Sequence, residues 1–153
     1  MTERLVVDAS VIAKIFLKDE DPRAVARTIA LSFASGVLDL IAPEIILYEV
    51  PSAILNAVRR QRLSPSEGLN AVEEFLNLEL PTVGSSDVLP NMVRRAYALA
   101  EEFGCRLQDA LYLAVAVEFD LPLITADARL YRGLRGRVPQ LLWFEDFRIS
   151  NQG

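Results

Sequence analysis

The chain has 153 residues, a mass of 17.0 kDa, a net charge of −5 and a sequence pI of about 4.8; this size fits one domain, and this charge argues against gripping nucleic acid by bulk attraction. It contains no histidine and one cysteine, Cys105, which excludes a Ser-His-Asp triad, an imidazole base, His-ligated zinc, an internal disulfide and a cysteine cluster. Chemistry is left to carboxylates, hydroxyls, Lys, Arg or a metal held by oxygen.

In chain order, "RLVVD" (4–8) reads as a buried strand by its β-branched content. "SVIAKIFLK", from Ser10, has helical spacing and runs into the charged turn Asp19-Glu20-Asp21-Pro22. Asp21 and Pro22 suit the cap and first position of the next helix, "RAVARTIALSFAS", which stops at Gly36. "LDLIA" (38–42) is a short strand. Pro43 opens a helix over about 44–60, with a kink expected at Pro51, whose ring and missing N–H disturb the preceding turn.

Ser64 caps, and Pro65 opens, a helix over 64–79. "LPTV" (80–83) is a short strand. Ser85, Ser86 and Asp87 offer caps for a helix running to Gly104, interrupted near Pro90. "QDALYLAVAVEF" (108–119) is a mostly apolar, buried helix. "LPLIT" (121–125) is a strand, "ARLYRGL" (128–134) a short helix and "QLLWF" (140–144) the last strand. Residues 1–148 are expected to form one domain and 149–153 a short tail.

No signal peptide is visible, and the apolar run "ALYLAVAV" (110–117) is too short to cross a bilayer; a soluble, cytoplasmic protein is expected. The 52% hydrophobic fraction and mean hydropathy of +0.25 imply either apolar surface covered by a partner or second copy, or a helical core rich in Ala and Leu.

Alternating strands and helices imply an α/β fold: a parallel sheet of about four to five strands with helices on both faces. All strands of such a sheet end at one edge, where open α/β folds bind ligands. Asp8 ends the first strand and Asp127 follows "LPLIT". Helices begin at that same edge, so Glu49, early in its helix, and Asp109, at the start of the next-to-last one, belong there too.

Four carboxylates in one partly dry pocket repel each other unless protonated or neutralised by cations, and no Lys or His accompanies them in sequence. Oxygen ligands of high charge suit Mg²⁺ or Mn²⁺. Taken singly, Asp8 and Asp127 could cap helices, Asp109 could be a first-turn charge favoured by the helix dipole, and Glu49 could lie on a solvated face. Ser10 and Thr125 either add hydroxyls to the site or serve locally. Glu145 and Asp146 also follow a strand and are left outside the site.

"VVDASVI", "LYEV" before "SAILNAVRR", "QDALYLAVA" and "LITADARL" together resemble the PIN domain, especially the VapC toxins of prokaryotic toxin–antitoxin pairs, over nearly the whole chain. The resemblance implies a Mg²⁺- or Mn²⁺-dependent endoribonuclease, usually homodimeric and held inactive by a small antitoxin. It places the family's acidic set on Asp8, Glu49, Asp109 and Asp127, as metal ligands and catalytic groups. Ser10 matches the family's small hydroxyl residue. Two positions depart from the pattern: Arg106 stands where Ser or Thr often caps the third acid's helix, and Pro51 lies two residues after Glu49.

The arginine clusters Arg59, Arg60, Arg62 and Arg129, Arg132, Arg135, Arg137 are either phosphate contacts or solvated faces. A non-catalytic PIN-like module binding RNA or protein is the alternative, against which the complete acidic set weighs. An aspartyl phosphotransferase would want a second Asp where Ser10 stands, and there is no Gly-rich nucleotide loop.

Overall fold

The structure is a computed structural model that describes residues 2–17, 23–84 and 89–150. Asp19 to Pro22, Ser85, Ser86, Asp87 and the end of the tail lie outside the described residues. Five strands, β1 (Glu3–Val7), β2 (Leu38–Pro43), β3 (Thr82–Val83), β4 (Leu123–Thr125) and β5 (Leu141–Trp143), form one all-parallel sheet in the order β3-β2-β1-β4-β5. The helices are α1 (Ala9–Phe16), α2 (Arg23–Ala34), α3 (Ile46–Arg59), α4 (Pro65–Asn77), α5 (Leu89–Phe103), α6 (Leu107–Phe119) and α7 (Ala128–Leu134).

The strand order decides where a site can form. From β1 the chain moves to β2 and then β3 through α1 to α4. It then returns past β1 to β4 and β5 through α5, α6 and α7. Right-handed crossovers running in opposite directions place these two helix sets on opposite faces of the sheet. The reversal falls between β1 and β4, and a crevice opens outside the strand ends at such a switch point. Val6 and Val7 pair with Leu123 and Ile124 there. Asp8 follows β1 and Asp127 lies two residues beyond β4, so both stand at this switch point.

The central strand is buried on both faces: Leu5, Val6 and Val7 are wholly inaccessible. Helix α6 is mostly apolar, with Ala110, Tyr112, Leu113, Ala114, Val115 and Ala116 buried, as suits a helix pressed between the sheet and α5. Helix α4 starts as its sequence demands. Ser64 Oγ accepts from Glu67 N–H at 3.1 Å, and Glu67 Oε2 accepts from Ser64 N–H at 2.8 Å, a capping box with Pro65 at the first position. Among the described residues no helix is long and apolar enough to cross a membrane.

Two prolines behave differently from expectation. Pro43 closes β2 instead of opening α3: the neighbouring Ala42 and Glu44 N–H groups donate to Pro81 and Val83 carbonyls at 3.2 and 2.9 Å, which holds the chain in the sheet until the helix starts at Ile46. Pro90 sits in the first turn of α5 and interrupts nothing, because first-turn N–H groups have no helical partner to lose. Helix α3 continues through Pro51.

Candidate active site

Asp8 follows the last residue of β1, and its N–H donates to Ile124 O at 3.0 Å, which sews the ends of β1 and β4 together. It stands at the N-cap of α1, yet its side chain makes no capping bond. The carboxylate turns to two hydroxyls instead. Ser10 Oγ donates to Asp8 Oδ2 at 2.6 Å and Thr125 Oγ1 donates to the same oxygen at 2.9 Å. Each hydroxyl also accepts a backbone N–H from the β4–α7 turn, Ser10 from Ala126 at 2.9 Å and Thr125 from Asp127 at 3.0 Å. Both Ser10 and Thr125 thus act on Asp8 and not as local caps.

Asp8 is 6% exposed. Burial pushes its carboxyl up to about 6; the Ser10 and Thr125 bonds oppose this, and the Glu49 and Asp109 charges add to it. Glu49 is half-buried in the first turn of α3, and its Oε1 accepts from the Tyr112 hydroxyl of α6 at 2.8 Å. Burial raises its carboxyl above the usual range, the Tyr112 bond lowers it and the Asp109 charge raises it again. The Tyr112 phenol is itself pushed well above its ordinary value, first by burial and then by Asp8 and Glu49.

Asp109 lies in the first turn of α6 and is buried. The sequence showed no Lys or His beside the acids; the structure supplies an arginine. Arg106, the N-cap residue of α6, makes no side-chain capping bond. Its Nε donates to Asp109 Oδ2 and its Nη2 to Asp109 Oδ1, each at 3.1 Å. The sequence signal was the Arg three residues before an acid at a helix start, a spacing at which side chains meet. With the arginine side chain 64% exposed, such a pair contributes only about 0.2–1 kcal/mol.

Asp127 caps α7, its Oδ1 accepting from Arg129 and Leu130 N–H at 3.0 and 3.1 Å. Its local role is real, and its other oxygen makes no bond to the described residues. Asp109 and Asp127 both line a cleft of about 410 Å³ with Cys105, Arg106, Arg129 and Gly133.

The four acids therefore share one edge, but not one tight cluster. Among the described residues no three acidic or cysteine side chains are placed to hold a metal together. The donor set nevertheless fits a hard divalent ion: carboxylate oxygens only, mutually repelling, with Asp8 wholly dependent on neutral donors for relief.

Glu145 and Asp146 are exposed beyond the edge strand β5, where Glu145 accepts from the Trp143 indole at 3.2 Å. Of the arginines, Arg59 ends α3 about 15 Å along the axis from Glu49, away from the site. Arg137 donates to Glu102 O at 3.2 Å and covers the Phe103 ring. Only Arg129 of these clusters lines the acidic cleft. Tyr112 and Arg106 are the site residues that sequence reasoning missed. Tyr112 was hidden because it reads as one more apolar face of α6.

The PIN domain family model matches residues 5–133. Ribonuclease VapC3 of Pyrobaculum aerophilum is 32% identical over 129 residues, spanning 83% of this chain and 92% of that protein. Ribonuclease VapC12 of Mycobacterium tuberculosis is 34% identical over 126 residues, spanning 82% and 88%. A chain of a toxin–antitoxin complex from Klebsiella pneumoniae superposes with a TM-score of 0.61 over 92% of this chain and 97% of its own, at 18% identity, a likeness of fold. With a parallel sheet in the order β3-β2-β1-β4-β5 and acids at its switch point, the chain belongs to the PIN-domain family.

Proposed function

We propose that this protein is a Mg²⁺- or Mn²⁺-dependent endoribonuclease, the toxin of a toxin–antitoxin pair, working in the cytoplasm. The names of its relatives support the reaction class. The observation that carries the reading is Asp8, a buried carboxylate at the switch point that accepts from two hydroxyls, with the charges of Glu49 and Asp109 acting on it. A charge this poorly solvated is costly to keep without a purpose or a counter-ion.

Asp8, Asp109 and Asp127 would hold the ion, and Glu49 would either join them or orient the attacking water. When bound, a divalent ion would lower the pKa of a water and screen charge on the phosphate. The protein's own groups would prepare the site. Ser10 and Thr125 keep Asp8 ionised and aimed, Tyr112 fixes Glu49, and Arg129 stands on the cleft wall for an RNA phosphate.

A small antitoxin and a second copy of the chain are the partners this reading expects. Support comes from large exposed apolar side chains: Leu31, Tyr48, Leu69 and Tyr97 are 60% exposed or more. A sedimentation mass near 17 kDa at micromolar concentration would remove the dimer.

The test compares wild type with Asp8→Asn on an RNA substrate. Cleavage should vanish in the variant with the fold intact, stop with EDTA and return with Mn²⁺. Chelator-resistant cleavage, or full activity of Asp8→Asn, contradicts the proposal. Metal-independent RNA binding without cleavage by wild type would favour the non-catalytic module.

A further inference from the structure

The Arg106–Asp109 pair places a cation of the chain itself on a carboxylate that the proposed reaction needs. Nε and Nη2 donate to Oδ2 and Oδ1, so each oxygen of Asp109 already accepts one bond from the arginine. The two partners are unequally held. The side chain of Asp109 is 12% exposed, whereas that of Arg106 is 64% exposed. The guanidinium can swing into solvent at little cost, and the carboxylate cannot follow.

Nor is the side chain of Arg106 needed to start the helix, since it makes no capping bond. The charges of Asp127 and Glu49 also act on the guanidinium. Arg106 shares the wall of one cleft with Asp109 and Asp127. A divalent ion carries twice its charge and binds oxygen at shorter range, so it competes well for Asp109.

We propose that Arg106 is an internal counter-ion: it occupies Asp109 in the metal-free protein and is displaced when a divalent cation binds. Metal loading is then an exchange of one cation for another. The metal-free site stays neutralised in part, and ion affinity is held down by the arginine. This inference rests on the metal reading of the acids given above.

The test is a Mn²⁺ titration of the RNA-free protein by calorimetry at pH 7.5, with wild type, Arg106→Ala, Arg106→Lys and Asp109→Asn. Arg106→Ala should bind Mn²⁺ about fivefold more tightly than wild type. Arg106→Lys, which keeps the charge and loses the fork, should fall between them, and Asp109→Asn should bind more weakly than wild type.

Wild-type affinity in Arg106→Ala overturns the exchange and leaves the metal site standing. Tighter binding in Arg106→Ala with wild-type affinity in Arg106→Lys assigns the effect to charge at a distance and also overturns it. No binding by any folded protein at millimolar Mn²⁺ overturns the exchange and the metal reading together.

A second measurement reads the pair directly in wild type. The Arg106 Nε–Hε proton should be protected from solvent exchange without metal and lose that protection at saturating Mg²⁺. Protection that persists with Mg²⁺ bound contradicts the displacement.

Discussion

The two sides of the switch point handle negative charge in opposite ways. On the β1 side, Asp8 is buried, and the groups that donate to it are neutral: two hydroxyls, themselves pinned by backbone N–H groups of the β4–α7 turn. On the α6 side, Asp109 opens onto a cleft and is met by a charged, mostly exposed arginine. The first arrangement fixes a carboxylate in place and leaves its charge uncompensated. The second compensates the charge and leaves its partner free to move. Rigidity resides with Asp8 and exchange with Asp109.

The contrast breaks most completely at Asp8. Asp8→Asn should reduce RNA cleavage to background while making the metal-free protein more stable above pH 7. The folded carboxyl holds its proton to about pH 6, and an unfolded one releases it near 3.8. The metal-free fold therefore loses stability as pH rises between those values, by an amount on the order of 2–3 kcal/mol. Asparagine removes that cost, so urea unfolding at pH 8 without metal should shift to higher concentration; a less stable variant would contradict the account of burial. By the same sign, ion binding by wild type should weaken as pH falls below about 6.

Thr125→Val should come next. It deletes one donor to Asp8 and leaves the Asp127 N–H without its acceptor, costing roughly 1–3 kcal/mol in stability and lowering cleavage as Asp8 loses its aim. Unchanged unfolding and unchanged rates would show that the hydroxyl pair is dispensable.

Tyr112→Phe sharpens the comparison without touching either carboxylate. Glu49 loses the Tyr112 donor, and ion affinity should fall by roughly tenfold with little change in melting temperature. Arg129→Ala tests the open side. RNA affinity should weaken about equally for different sequences, and the salt dependence should flatten by about one charge; a sequence-selective loss would place Arg129 against a base.

Much of this was legible in the sequence. β-branched runs ending on Asp8 and just before Asp127 marked the sheet edge, and the helix at Ser64 declared its own cap. The prolines misled because local chemistry cannot tell a strand's last residue from a helix's first. Pro43 obeys the sheet, whose hydrogen bonds come from residues around 80. Arg106 was visible as a missing cap, but its bond to Asp109 depends on a rotamer that spacing permits and does not dictate. The hydroxyls of Ser10 and Thr125 act across 115 residues, and no local pattern reports on such a meeting.

The most direct test of the acidic site is a crystal of the protein soaked in Mn²⁺, with the ion located by its anomalous scattering. The account predicts an ion at the C-terminal edge of the sheet, bound by Asp8 and Asp109, with Arg106 swung away. An ion found only elsewhere, or no ion at saturating Mn²⁺ with Arg106 still on Asp109, would contradict it.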